Sequence, residues 1–195
     1  MSDVASMPLP MSQQRPKIVF ALLLAASLIA PLVVYPVFLM NALCWALFAS
    51  AFNLLFGYVG LLSFGHAAYF GGGAYVTAYL MKNYGLPPEL GILAGTAAAT
   101  VMGAVFGAVA IRRQGIAFAM VTLALAQLLY FFALQTPLSG GEDGIQSVPR
   151  GHLFGILDLD HQMTMYYVVL GIFAIGMAVI YRAVHSPFGW VLSGI

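Results

Sequence analysis

Six apolar stretches punctuate the chain, at residues 18–40, 42–56, 61–81, 90–111, 115–134 and 163–181. They lack the strict alternation of half-buried strands, and runs approaching ~20 apolar residues predict helices that cross a hydrocarbon core of about 30 Å. Residues 1–17 are polar and carry Pro8, Pro10 and Pro16, which predicts a disordered tail ending in Arg15 and Lys17. The first apolar run exceeds the roughly 7–15 residues of a signal-peptide core and continues past the cleavage-like Ala25-Ala26-Ser27, so an uncleaved helix is expected. Pro31 and Pro36 should bend or end its far part.

The breaks between runs differ in character. Gly57-Tyr58-Val59-Gly60 is short and still apolar, and it fits either a tight helical hairpin or one interrupted, re-entrant element. Lipid cannot satisfy non-helical backbone, so this break must be buried in protein or line a cavity. Lys82 to Glu89 is a polar break with two prolines, and Arg112-Arg113 is a charged one. The segment 135–162 is long, with turn chemistry at its centre in Ser139-Gly140-Gly141-Glu142-Asp143-Gly144.

Within the fourth run, Gly91, Gly95, Ala99, Gly103 and Gly107 recur every four residues. Such a row of small side chains follows one ridge of a helix and predicts a second helix packed closely along it. Glycine also clusters between residues 53 and 75, at Gly57, Gly60, Gly65, Gly71, Gly72 and Gly73, where tight packing or a broken helix is expected.

Charge fixes an orientation. With the N-terminus inside, the inner loops hold Arg15, Lys17, Arg112, Arg113 and Arg182, and the outer loops hold Lys82 and Arg150. Glu89, Glu142, Asp143, Asp158 and Asp160 then all lie outside. That distribution obeys the positive-inside rule, and the expected fold is all-α: a polytopic membrane protein of about six spans with both termini cytoplasmic. A tail (1–17), a transmembrane domain (18–185) and a short cytoplasmic end (186–195) complete the expected organisation.

Composition agrees. The chain is 62% hydrophobic and 7% charged, against about 25% charged in soluble domains. A net charge of +1 leaves no basic patch for a nucleic-acid partner. The single cysteine, Cys44, offers no disulfide and is expected to be a small buried hydrophobe.

The expected spans contain no Asp, Glu, Lys or Arg, and His66 is the one histidine inside them. Ion-driven carriers often place carboxylates or histidine chains on the ion path, so this pattern disfavours secondary transport. Neither Lys17 nor Lys82 follows a Walker A glycine pattern, so energy for uphill transport would come from another subunit. Asn53, Ser63, His66, Thr122 and Gln127 are the polar candidates for a substrate path, although side chains of this kind more often serve as hydrogen bonds between helices. Ser63 and His66 also stand three apart, the spacing of a nucleophile and base on one helix face, but no GxSxG elbow surrounds them. No catalytic group, metal site or cofactor is expected.

Four blocks resemble one known family. Asn53-Leu54-Leu55 with Gly57-Tyr58, Gly60, Leu62-Ser63, Gly65-His66-Ala67-Ala68 and Gly73-Ala74-Tyr75 form the first. Arg112 to Leu123 with Ala126-Gln127 form the second, Ser139 to Ile145 with Val148-Pro149 the third, and Ser186-Pro187-Phe188-Gly189 the fourth. In this order they resemble the larger, second-type permease subunit of branched-chain amino acid ABC importers. The resemblance implies a partner permease subunit, two cytoplasmic ATPase subunits and a periplasmic substrate-binding protein. It also implies passage of Leu, Ile and Val across a bacterial inner membrane, while urea and short-amide permeases share the pattern. Glu142-Asp143 would lie where the binding protein docks, or form a plain solvated turn. Trp190 departs from the basic residue usual after Ser-Pro-Phe-Gly. Family members continue beyond Ile195 into a charged loop and further spans, so the resemblance implies an N-terminal fragment, and 186–195 would begin a truncated loop; a non-transporting scaffold is the other reading.

Overall fold

The structure, a computed structural model, describes residues 23–113, 115–136, 139–153, 155 and 157–186. Proline and glycine set the helix ends. Helix α1, Leu23–Leu32, closes in a 3-10 turn at Ala30–Leu32, and α2 opens at Pro36. Proline lacks an N–H and its fixed φ suits the first helical turn, so Pro36 starts a helix here instead of ending one. This corrects the expected first span of 18–40: residues 36–40 belong to α2, and residues 18–22 lie outside the described part.

Helix α2, Pro36–Asn53, continues through a π-helical turn at Leu54–Val59. Gly60, with φ of 71°, ends it in the left-handed conformation that glycine adopts at no steric cost. Helix α3 covers His66–Tyr84, α4 covers Pro88–Ala110 and α5 covers Ile116–Gln135. Between α3 and α4, Gly85 takes a φ of 60° as the stop and Pro88 stands at the start. Helix α6, Gln162–Val184, completes the set. Four helical stretches, Pro36–Val59, α4, α5 and α6, are long and apolar enough to cross a membrane among the described residues. Glycines, tyrosines and His66 make the 19-residue α3 more polar.

The helices pack as two groups. Helix α3 packs chiefly on α4 with α5 alongside, and α2 packs chiefly on α6. Tyr166 of α6 is fully buried and donates its hydroxyl to Ser27 O at 2.6 Å, fastening α1 to the second group. Aromatic rings join the groups in antiparallel order: Phe52 meets His66 at 5.4 Å and Phe48 meets Phe70 at 5.6 Å. Helices α2 and α3 therefore form a hairpin through residues 60–65, rather than one interrupted helix.

Opposite that link, the segment between α5 and α6 folds over the helix ends. A 3-10 turn at Gly141–Asp143 is followed by a hairpin absent from the sequence-based expectation: β1, His152–Leu153, pairs antiparallel with β2, Leu157–Asp158. Lys82 Nζ donates to Gln146 O at 2.8 Å, tying this cap to the end of α3, and Leu159 N donates to Gly151 O at 3.2 Å, closing the hairpin on itself. Cys44, expected to be buried, is exposed on α2, on a helix with no buried residue.

Candidate functional site

The small residues of α3 do two jobs on two faces. On the α4 side, a methyl placed on Gly73 would lie 3.1 Å from Gly95 O, and one on Gly95 would lie 2.6 Å from Gly73 O. The backbones touch because neither carries a side chain. Thr77 strengthens the seam, its hydroxyl reaching Gly73 O at 2.9 Å and Gly91 O of α4 at 3.1 Å. The glycine row thus has its close helix partner at Gly91 and Gly95. No atom approaches within 4 Å of the equivalent position on Gly103 or Gly107 among the described residues.

On the α5 side the small face is not filled. Ala67, Ala68, Gly71 and Gly72 of α3 form one wall of a cavity of about 440 Å³, with Tyr75 at its far end. Helix α5 forms the other wall with Ala126, Gln127, Tyr130 and Ala133. Met102 of α4 supplies the floor, its Cε 2.6 Å from where a methyl on Gly72 would stand. The lining has no carboxylate, ammonium or guanidinium group.

Both ends of the groove are held by polar contacts. At the link end, the buried hydroxyl of Thr122 accepts the Phe64 N–H at 3.2 Å and donates to Ala119 O at 3.0 Å. Ser63, also buried, accepts the Gly65 N–H at 3.2 Å. These two hydroxyls supply what lipid could not to the non-helical backbone of residues 60–65. At the cap end, Ser139 Oγ donates to Thr136 O at 2.7 Å and contacts Ala133 O, which anchors the turn beside Tyr75 and Leu134.

The sequence-derived candidates therefore separate. Gln127 lines the groove. Ser63 and Thr122 hold the link. Asn53 folds over the π-helical turn, its Oδ1 2.9 Å from where a methyl on Gly57 would stand, and is otherwise exposed. His66 starts α3 between Phe52 and Tyr69, beside the Ser63 backbone, and its Nδ1 is buried. Of the remaining glycines, Gly60 serves the turn, Gly65 faces Tyr69 and Ser63, and Gly71 opens on the groove. Tyr75, Met102 and Tyr130 were not singled out by sequence reasoning; a single α-helical period cannot say which face of α4 or α5 turns toward α3. No group of three metal-ligating side chains occurs among the described residues.

Long apolar helices define an all-α, polytopic membrane protein. Residues 35–194 match the model of the family described as "Branched-chain amino acid transport system / permease component", and the chain belongs to that family. As a member it is a multi-pass protein of the bacterial inner membrane. The chain is similar to the high-affinity branched-chain amino acid transport system permease protein LivM of Escherichia coli (strain K12), 33% identical over 110 residues. The Salmonella typhimurium LivM is 32% identical over 110 residues. Each match covers 53% of this chain and 25% of the relative, so the chain spans about a quarter of the length of these relatives by that alignment. No solved structure matches.

Proposed function

We propose that this chain is a membrane-spanning subunit of an ATP-driven importer and forms part of the translocation path for Leu, Ile and Val. The family match over residues 35–194 carries this reading. The uncharged groove between α3 and α5 supports it, because a wall of small residues with one amide and two phenols suits a small neutral solute. Among the described residues the helices hold charged side chains only near their ends, at Lys82, Glu89 and Arg182, a pattern unlike the charged relays of ion-driven carriers. Energy then comes from outside the chain: two cytoplasmic ATPase subunits, with a second permease subunit completing the path and a periplasmic substrate-binding protein delivering the solute. Six spans with both termini cytoplasmic fit the charge distribution, and Arg112, Arg113 and Arg182 would face the ATPases.

Co-expression with candidate partner genes, followed by affinity purification and uptake of radiolabelled leucine into cells lacking their own carrier, tests the reading. A complex containing an ATPase and a second permease, with ATP-dependent leucine uptake, is the expected result. Uptake of urea or acetamide in place of leucine would reassign the substrate. A stable complex with no uptake of any of these would make the chain a scaffold.

A further inference from the structure

We propose that the groove between α3 and α5 binds the aliphatic side chain of a small neutral amino acid, and that Met102 on its floor sets how large a side chain it takes. This deepens the functional reading above and rests on it.

The groove exists because of a mismatch. Ala68 and Gly72 remove bulk from α3, which ordinarily draws a neighbouring helix into contact. Here α5 is held off by its two ends, at the Phe64–Thr122 hydrogen bond and at the turn anchored by Ser139. The remaining volume, about 440 Å³, falls within the roughly 300–1,000 Å³ of small-molecule sites. Being bounded at both ends, it suits a compact guest.

Its chemistry separates an amino acid from a lipid chain. Gln127 offers an amide carbonyl and two N–H donors, and Tyr75 and Tyr130 offer hydroxyls. Against an acyl chain those groups would stand desolvated and unpaired, which is costly. Against an amino acid the amide carbonyl can accept from the ammonium, and the N–H and O–H donors can meet the carboxylate. Alanines, glycines and the larger apolar Val76, Leu129 and Phe132 are left to face the side chain. With no fixed charge in the lining, a basic or acidic side chain finds no counter-ion there.

Met102 is the adjustable part. Its thioether fills the space that a side chain at position 72 would take, and an unbranched side chain with several rotatable bonds can yield to guests of different shape. Shortening it deepens the floor directly under the small wall of α3.

The test uses the whole importer in membrane vesicles. The exposed Cys44 is first replaced by Ser, and Ala126→Cys then provides one thiol in the groove wall. Leucine is expected to slow labelling of that thiol by a water-soluble methanethiosulfonate. Adding Met102→Ala should lower the half-protecting concentration of phenylalanine relative to leucine by about tenfold, the scale of a hydrophobic pocket's size discrimination. Val105→Ala, an exposed α4 position outside the groove lining, should keep the original order and serves as the control for substitution in α4. Absence of protection in vesicles that take up leucine overturns the site. Protection with an unchanged order in Met102→Ala overturns the role of Met102. Protection without leucine uptake keeps the site and refutes the transport reading; neither protection nor uptake refutes both.

Discussion

The Thr122 hydroxyl accepts the Phe64 backbone N–H at 3.2 Å, joining α5 to the link between α2 and α3 across 58 residues of sequence. Thr122 spends its own proton on Ala119 O at 3.0 Å, which leaves its oxygen lone pairs to the link. One buried side chain thereby completes the backbone of a turn that lipid could not solvate, and fixes one end of the groove.

Replacing Thr122 with Val keeps the shape and removes the acceptor. The stranded N–H should cost about 1–3 kcal/mol, whereas Thr122→Ser should stay close to wild type. Thermal unfolding of the detergent-solubilised protein separates the two variants. Equal midpoints for Val and Ser would show that the hydroxyl does not hold the link.

The seam between α3 and α4 makes a graded prediction. A methyl at Gly95 meets the Thr77 hydroxyl and lies 2.6 Å from the Gly73 carbonyl, an atom that cannot rotate away. Gly95→Ala should therefore destabilise by about 1–3 kcal/mol through overpacking. Gly103→Ala, in the same row but with nothing within 4 Å, should fall within about 0.5 kcal/mol of wild type or gain slightly from helix propensity. Folded yield and unfolding midpoint measure both. Equal losses at the two sites would sink the assignment of the seam to the first half of the row.

Much of this was legible in the sequence, and the misses have particular causes. The period of four from Gly91 named the α4 ridge, because close backbone approach needs glycine whatever the partner is. It could not say where α3 ceases to cover that ridge, beyond Gly95 and Ala99 toward the N-terminal end of α3, which the placement of the two antiparallel helices decides. Pro36 was read as the end of a helix when it begins one, since proline fits a first turn as readily as it closes a last. Ser63, Thr122 and Gln127 were flagged as polar residues in spans, yet that the first two serve the link and the third the groove depends on helix rotation. The hairpin of His152–Leu153 with Leu157–Asp158 is too short to leave any period. Gln127 was named from sequence; Met102 and the two groove tyrosines became visible only once α3, α4 and α5 were placed together.

Helix α1 is docked chiefly through the Tyr166 hydroxyl, with the neighbouring Tyr167 donating to Leu28 O at a longer 3.4 Å. Tyr166 is fully buried, and its bond to Ser27 O at 2.6 Å is made to a carbonyl already near the end of α1. Tyr166→Phe keeps the ring and loses the bond, so the loss should be about 1 kcal/mol, in the range of hydrogen bonds between membrane helices. Tyr166→Ala also opens a cavity and should cost about 3–5 kcal/mol, by analogy with other buried aromatics. Hydrogen exchange along α1 provides a local readout: faster exchange there in Tyr166→Phe, with α3 to α5 unchanged, is expected. Uniform change across all helices would mean that Tyr166 supports the whole fold and not this contact.

The α2–α6 contact can be tested by repair. A methyl at Gly176 would stand 2.8 Å from Leu47 Cδ1, so the glycine exists to seat that leucine. Unlike the obstacle at Gly95, this one is the end of a side chain, and the cost of filling the space depends on whether Leu47 can move. Gly176→Val should destabilise because a branched side chain leaves the leucine no alternative rotamer in a packed interface. Leu47→Ala alone should also destabilise, by leaving a void. Combined, the two changes exchange bulk across the contact, and the double variant should be more stable than the sum of the single losses predicts by about 0.5–3 kcal/mol. Denaturation midpoints of the four proteins complete the cycle. A strictly additive result would mean that Gly176 and Leu47 do not meet, and α6 would then have to pack on α2 in a different register.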